Sequence, residues 1–195
     1  MPEGGTIRAF LALDPPPEVL RKIAEIQGAL RMDIQGALSW VRPEGIHLTL
    51  KFFGNIAEGD LETVSETVAG QTGGVRPLHL EVKGLGVFPG LRRPRIIWIG
   101  IGGEVSRLAA LQQAIDGGLE TRGFPREGRP FRAHLTLARI RSPQGLGGLD
   151  GAIAAKGAAS AGTFTATGLT LFRSKLTPKG AIYTTLGHFP LCQDR

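Results

Sequence analysis

The chain has 195 residues, 42% of them hydrophobic, and a mean hydropathy of +0.03, enough for a packed core, which excludes a disordered chain. Its longest apolar runs, such as Ile96 to Ile101, are far shorter than a membrane span, and a single cysteine, Cys192, cannot form an intrachain disulfide. The net charge is +6 and 17 of the 23 basic residues are Arg, a balance that suits a polyanionic partner such as nucleic acid and also follows from a GC-rich genome.

The elements follow in a legible order. The run TIRAFLAL (Thr6 to Leu13) predicts a strand, ended by Pro15, Pro16 and Pro17, and Val19, Leu20, Ile23, Ile26 and Leu30 then follow helical spacing. In IHLTLKFFG the residues alternate, with Ile46, Leu48, Leu50 and Phe52 on one face and His47, Thr49 and Lys51 on the other, as a half-buried strand requires. Asp60 is placed to cap a helix whose inner stripe is Leu61, Val64 and Val68, and Leu78 to Phe88 reads as a further strand.

From Pro94 the plan restarts: a strand PRIIWIGI, a helix from Glu104 with Val105, Leu108, Ile115 and Leu119 inward, a strand FRAHLTLA, an Ala/Gly-rich segment, and one strand FTATGLTLF. A last strand AIYTTLGHF follows. The Gly-rich stretch from Gln144 to Ser160 lacks the G-x-x-x-x-G-K-[ST] spacing of a phosphate-binding loop and reads as loop and weak helix. The loop GLRRPR (Gly90 to Arg95) places Arg92, Arg93 and Arg95 either against a nucleic-acid backbone or in solvent.

The tetrapeptide HLTL occurs at His47 and again at His134, 87 residues on (134 − 47), although the chain has only four histidines. Such a match arises by chance on the order of once in several hundred chains of this composition. With the restarted element order it marks an internal repeat, about 6–88 and 94–187, within a single bilobed domain spanning 1–195. Two copies of one plan can pack about an approximate two-fold axis, with their polar strand faces looking at each other across a cleft.

In such a fold the polar strand faces bring two imidazoles and two hydroxyls to one cleft. That set suits phosphodiester chemistry: one imidazole takes the proton of the attacking water or hydroxyl, and the other protonates the leaving oxygen. Thr49 and Thr136 are placed to donate to the non-bridging oxygens, where charge develops. This scheme needs no metal and no cofactor. A zinc site is the rival, but no Cys pair, H-E-x-x-H or carboxylate cluster accompanies the histidines. His79 and His188 lack the motif and read as structural.

The chain resembles the 2H phosphoesterases, defined by two His-x-Thr-x motifs, and among them the RNA 2′,3′-cyclic phosphodiesterases, also called 2′-5′ RNA ligases. Beyond HLTL twice, IRAFLALDPP, WVRPEGIHLTLKFFGNI, FPGLRRPRIIWIGI, FRAHLTLARIRSP and LTLFRSKLTPKGAIYTTL stand in that family's order. The resemblance implies an α+β fold, a bilobed pseudo-two-fold duplication with two antiparallel sheets facing a central cleft and helices outside, and metal-free hydrolysis of an RNA or nucleotide 2′,3′-cyclic phosphate to a 2′-phosphomonoester, with reversible 2′-5′ ligation. It casts His47 as proton donor, His134 as proton acceptor and Arg139 as a phosphate contact. Where the family commonly has Pro before the second histidine, this chain has Ala133. Strict alternation would put Arg139 on the face opposite His134, so its role requires a bulge or twist in between. Other 2H substrates, such as an ADP-ribose cyclic phosphate, 2′-5′ oligoadenylate or the 3′ end of a small RNA, stay open, as does an RNA-binding module without turnover. The remaining expectations are a cytoplasmic location, a monomer and no membrane contact.

Overall fold

The structure is a computed structural model that describes residues 5–178 and 180–192. In chain order the elements are β1 (Thr6–Leu13), α1 (Pro17–Asp33), β2 (Leu38–Trp40), a 3-10 turn (Pro43–Gly45), β3 (Leu48–Ala57), α2 (Asp60–Thr72), β4 (Leu78–Phe88) and β5 (Ile96–Gly103). Then come α3 (Val105–Glu120), β6 (His134–Ile140), α4 (Leu149–Lys156), β7 (Ser160–Ala166), β8 (Gly168–Thr177) and β9 (Gly180–Pro190). Helix α1 starts where the Pro run predicts: Pro16 is extended at the N-cap, Pro17 supplies a preset φ at the first helical position, and Val19, Ile23, Gln27 and Leu30 face inward.

The strands form two antiparallel sheets, ordered β3-β1-β8-β9 and β2-β6-β5-β4-β7. In the repeat, β1 corresponds to β5, β3 to β6 and β4 to β8. Each half exchanges one strand: β8 of the second half pairs with β1, and β4 of the first pairs with β5. Without the exchange, β1 and β5 would each leave a row of unpaired backbone groups along one edge. Helices α1 and α4 pack on β7 and β4, whereas α2 and α3 pack on each other and on β3. The buried apolar side chains of both sheets form one continuous core. The faces turned away from the helices line the central cleft.

Several expectations change. FTATGLTLF is two strands: the chain leaves the second sheet after Ala166 and enters the first at Gly168. The buried positions show the break, since Phe164 and Ala166 are inward and then Leu169 and Leu171, one residue out of phase. At the corner the chain passes close to β9: a Cβ on Gly168 would lie 2.6 Å from His188 Nε2 and 3.0 Å from the Phe189 carbonyl oxygen. Asp60 is not the N-cap of α2; Gly59 is, and the Asp60 carboxylate accepts from the Ala57 backbone N–H at 3.2 Å. The strands expected from Pro94 and Phe131 begin at Ile96 and His134. The short β2, against β6, carries too few residues for a period to be read.

Candidate active site

Both HLTL segments make the same departure from regular pairing. Opposite β3, Ala12 faces Thr49 and Leu11 faces Lys51, so Leu50 is an extra residue. Opposite β6, Trp98 faces Thr136 and Ile97 faces Ala138, so Leu137 is the extra residue. Each is a β-bulge three residues after the histidine, and it reverses the alternation beyond it. Two consecutive residues are buried at each bulge, Leu50 with Lys51 and Leu137 with Ala138. Lys51, expected beside His47 and Thr49, is therefore only 3% exposed, and Phe52, expected in the core, is 53% exposed. The same reversal carries Arg139 onto the face of His134 and Thr136, the condition the sequence set for it.

Aromatic rings hold both imidazoles. His47, just before β3, stacks on Phe10 at 4.6 Å between centroids, with Tyr183 edge-on at 5.1 Å and Phe172 at 6.2 Å. His134, the first residue of β6, has Phe88 edge-on at 5.0 Å and Trp98 at 6.3 Å. Phe172 and Phe88 occupy equivalent places, opposite Phe10 and Ile96. Trp98 lies against bare backbone: a Cβ on Gly86 would come within 2.1 Å of the indole. Its Nε1 is buried with no hydrogen-bond partner among the described residues. The His134 Nδ1–H donates to the Arg132 carbonyl at 2.6 Å, since a carbonyl only accepts, and this leaves Nε2 as the basic nitrogen.

Burial pushes the His47 imidazolium down to about 4, and the Arg139 guanidinium adds to the effect. Burial also lowers His134; its bond to the Arg132 carbonyl opposes this and Arg139 reinforces it. One guanidinium thus stands within electrostatic reach of both imidazoles, one at the start of each HLTL strand. Thr49 and Thr136 lie half-buried on the same strand faces, and neither hydroxyl has a hydrogen-bond partner among the described residues. Such an arrangement can hold an anion between two neutral imidazoles and move protons on either side of it.

A family model described as LigT like phosphoesterase matches the chain twice, over residues 13–98 and 99–183. The chain belongs to this family. It is 33% identical over 185 residues to the RNA 2′,3′-cyclic phosphodiesterase of Methanothermobacter thermautotrophicus, covering 95% of this chain and 99% of that one. It is 32% identical to the protein of the same name from Archaeoglobus fulgidus, over 94% and 99%. Among solved structures, TT0787 of Thermus thermophilus aligns with a TM-score of 0.79 at 28% identity, over 97% of this chain and 100% of that one. Escherichia coli LigT complexed with 3′-AMP shares the fold, with a TM-score of 0.76 at 22% identity over 97% and 100%.

The other histidines and the arginine loop of this phosphoesterase sort clearly. His79 shares a hydrogen bond with Thr165 at 3.0 Å and His188 with Thr170 at 3.4 Å, each with a cross-strand neighbour. Arg92, Arg93 and Arg95 are exposed in a loop anchored by the Arg95 N–H to the Phe88 carbonyl at 2.8 Å and the Ile140 N–H to the Arg95 carbonyl at 2.9 Å. Among the described residues no group of three or more His, Cys, Asp and Glu is placed to hold a metal ion. No helix among them is long and apolar enough to cross a membrane.

Sequence reasoning missed the aromatic settings and a buried ion pair behind the first bulge. Lys51 Nζ lies 2.5 Å from Asp116 Oδ1 and donates to the Pro125 carbonyl at 2.8 Å. The Glu127 N–H donates to Asp116, and the Phe52 N–H donates to Glu127 Oε1 at 2.9 Å. The network ties the first bulge to the segment that leads into His134. No local signal marked it, because the inward turn of Lys51 follows from a bulge that only the register of β1 defines.

Proposed function

We propose that this phosphoesterase opens RNA or nucleotide 2′,3′-cyclic phosphates to 2′-phosphomonoesters, using His47 and His134 as the proton-transferring pair and no metal. The observation that carries this reading is the convergence of one imidazole from each sheet on a single arginine. The relatives named RNA 2′,3′-cyclic phosphodiesterase support the substrate class.

His134 Nε2 takes the proton of a water that attacks phosphorus, while the Arg132 carbonyl orients the ring and stabilises the imidazolium that forms. The P–O3′ bond breaks, and His47 gives its proton to O3′, leaving a 2′-phosphate and a 3′-hydroxyl. Thr49, Thr136 and Arg139 donate to the non-bridging oxygens as charge accumulates on them. Both imidazoles favour the neutral form in the unliganded protein, so the proton on His47 is drawn in by the anionic phosphate; with its affinity for protons so reduced, His47 is a strong acid once charged. Replacing water with a ribose 5′-hydroxyl turns the same step into 2′-5′ ligation, and its reversal exchanges the two roles.

The test is product analysis on 2′,3′-cyclic AMP and on a cyclic-ended oligonucleotide in the presence of EDTA. The expected product is the 2′-phosphate in both cases. Absence of turnover, a 3′-phosphate product, or activity that EDTA abolishes and zinc or manganese restores would overturn the reading.

A further inference from the structure

One end of the cleft carries a polar row that the reacting phosphate does not use. On β1, Arg8 lies two residues from Phe10 and shares its face, and it pairs with Asn55 of β3. On the other side of β1, Ser174 of β8 lies one residue beyond the Ala9–Arg173 pair, and Ser174 pairs with Tyr183 of β9. Asn55, Arg8, Ser174 and Tyr183 therefore form one cross-strand row. The row borders the aromatic group around His47: the Tyr183 ring lies 5.0 Å from Phe10 and 5.1 Å from His47. Arg8 and Asn55 are exposed, and Ser174 and Tyr183 are half-buried. Arg8 forms no ion pair and the Tyr183 hydroxyl no hydrogen bond among the described residues.

The repeat shows that the row is not a consequence of the fold. With Phe10 equivalent to Ile96 and Phe172 to Phe88, Arg8 corresponds to Pro94 and Ser174 to Gly90. At the two equivalent positions the second sheet therefore has neither a cation nor a hydroxyl, and its nearby arginines, Arg92, Arg93 and Arg95, belong to the connecting loop instead of a cross-strand row. A phosphate held between two equivalent histidines needs no such asymmetry, whereas a strand entering the cleft from one side does.

Resting on the function proposed above, we infer that Arg8, Ser174 and Tyr183 form a second anion subsite, which binds the phosphodiester on the 5′ side of the nucleotide carrying the cyclic phosphate. Arg8 presents its planar fork to the two non-bridging oxygens, and the two hydroxyls donate alongside it. Tyr183 is placed to report on both guanidinium groups: burial raises its phenol, and Arg139 first and Arg8 second lower it. The subsite makes an RNA end a better substrate than a free cyclic nucleotide, because only the former supplies the second anion.

The experiment compares kcat/KM on 2′,3′-cyclic AMP with that on a dinucleotide ending in a 2′,3′-cyclic phosphate. In parallel, calorimetry gives Kd for 2′-AMP and for the dinucleotide 2′-phosphate. The unsubstituted protein should prefer the dinucleotide in both measurements. Arg8→Gln should lower the dinucleotide-to-mononucleotide ratio roughly 10-fold, the usual worth of a charge-assisted hydrogen bond, and Arg8→Lys should retain part of the preference. An unchanged thermal midpoint separates this loss from misfolding. The inference is overturned if Arg8→Gln leaves the ratio unmoved in both kinetics and binding. A protein that binds the dinucleotide preferentially but hydrolyses neither substrate would refute the proposed function while sustaining the subsite.

Discussion

Acidifying the unliganded protein puts a proton on His47 at a cost the unfolded chain does not bear. The imidazolium is held near 4 in the folded state against an ordinary 6.5. At 1.36 kcal/mol for each pH unit of separation, that gap corresponds to about 3 kcal/mol. Between these values the unfolded chain binds more protons than the folded one, so stability falls as the pH falls. The contribution is fully present above 6.5, is lost progressively down to about 4, and changes no further below that. Urea unfolding at pH 7, 5.5 and 4 measures it, with His47→Gln as the reference that cannot titrate. The stability difference between wild type and variant should shift by about 3 kcal/mol against wild type over this range. A titration of the His47 Cε1–H by NMR gives the midpoint directly, and adding 2′-AMP should raise it. If His47 titrates at 6.5 or above without ligand, or if both proteins lose stability in parallel, the account of its burial is wrong.

Arg139→Gln removes a charge that lowers both imidazoles, so the bell of kcat/KM against pH should move to higher pH while its height falls roughly 10- to 100-fold with the lost phosphate contact; a bell that stays in place would separate Arg139 from the pair. Lys51→Met strands the Asp116 carboxylate and should cost about 3–5 kcal/mol by urea unfolding, much of it recovered in the double variant Lys51→Met/Asp116→Leu. Gly86→Ala drives a methyl to 2.1 Å from the Trp98 ring, so the indole beside His134 must move, with about 1–3 kcal/mol lost in unfolding and a reduced kcat. His47→Ala and His134→Ala should each cost about 10²–10⁴ in kcat, and the double variant far less than their product, while His79→Ala serves as the kinetically silent control.

Local patterns were enough for much of this protein. Three prolines set the start of α1, the spacing of Val64 and Val68 predicted α2, and HLTL repeated in a restarted order of elements exposed both the duplication and the two histidines. Propensity and period act over a few residues, so they survive in sequence. The phase change between Ala166 and Leu169 was also there to be read, and it marks the corner where the chain changes sheet. The bulges were another matter. Nothing within HLTLKF or HLTLAR states that Leu50 and Leu137 are extra residues, because a bulge is defined by the partner strand's register. Lys51 can be inside only because Asp116, 65 residues away, neutralises it, and Arg139 reaches the cleft only because the bulge turns it there. Tertiary structure likewise decided the depressed affinity of His47 for protons, which depends on Phe10, Phe172 and Tyr183 from three other strands closing around one ring. Burial and register are properties of contacts between distant segments, and no short stretch of chain contains them.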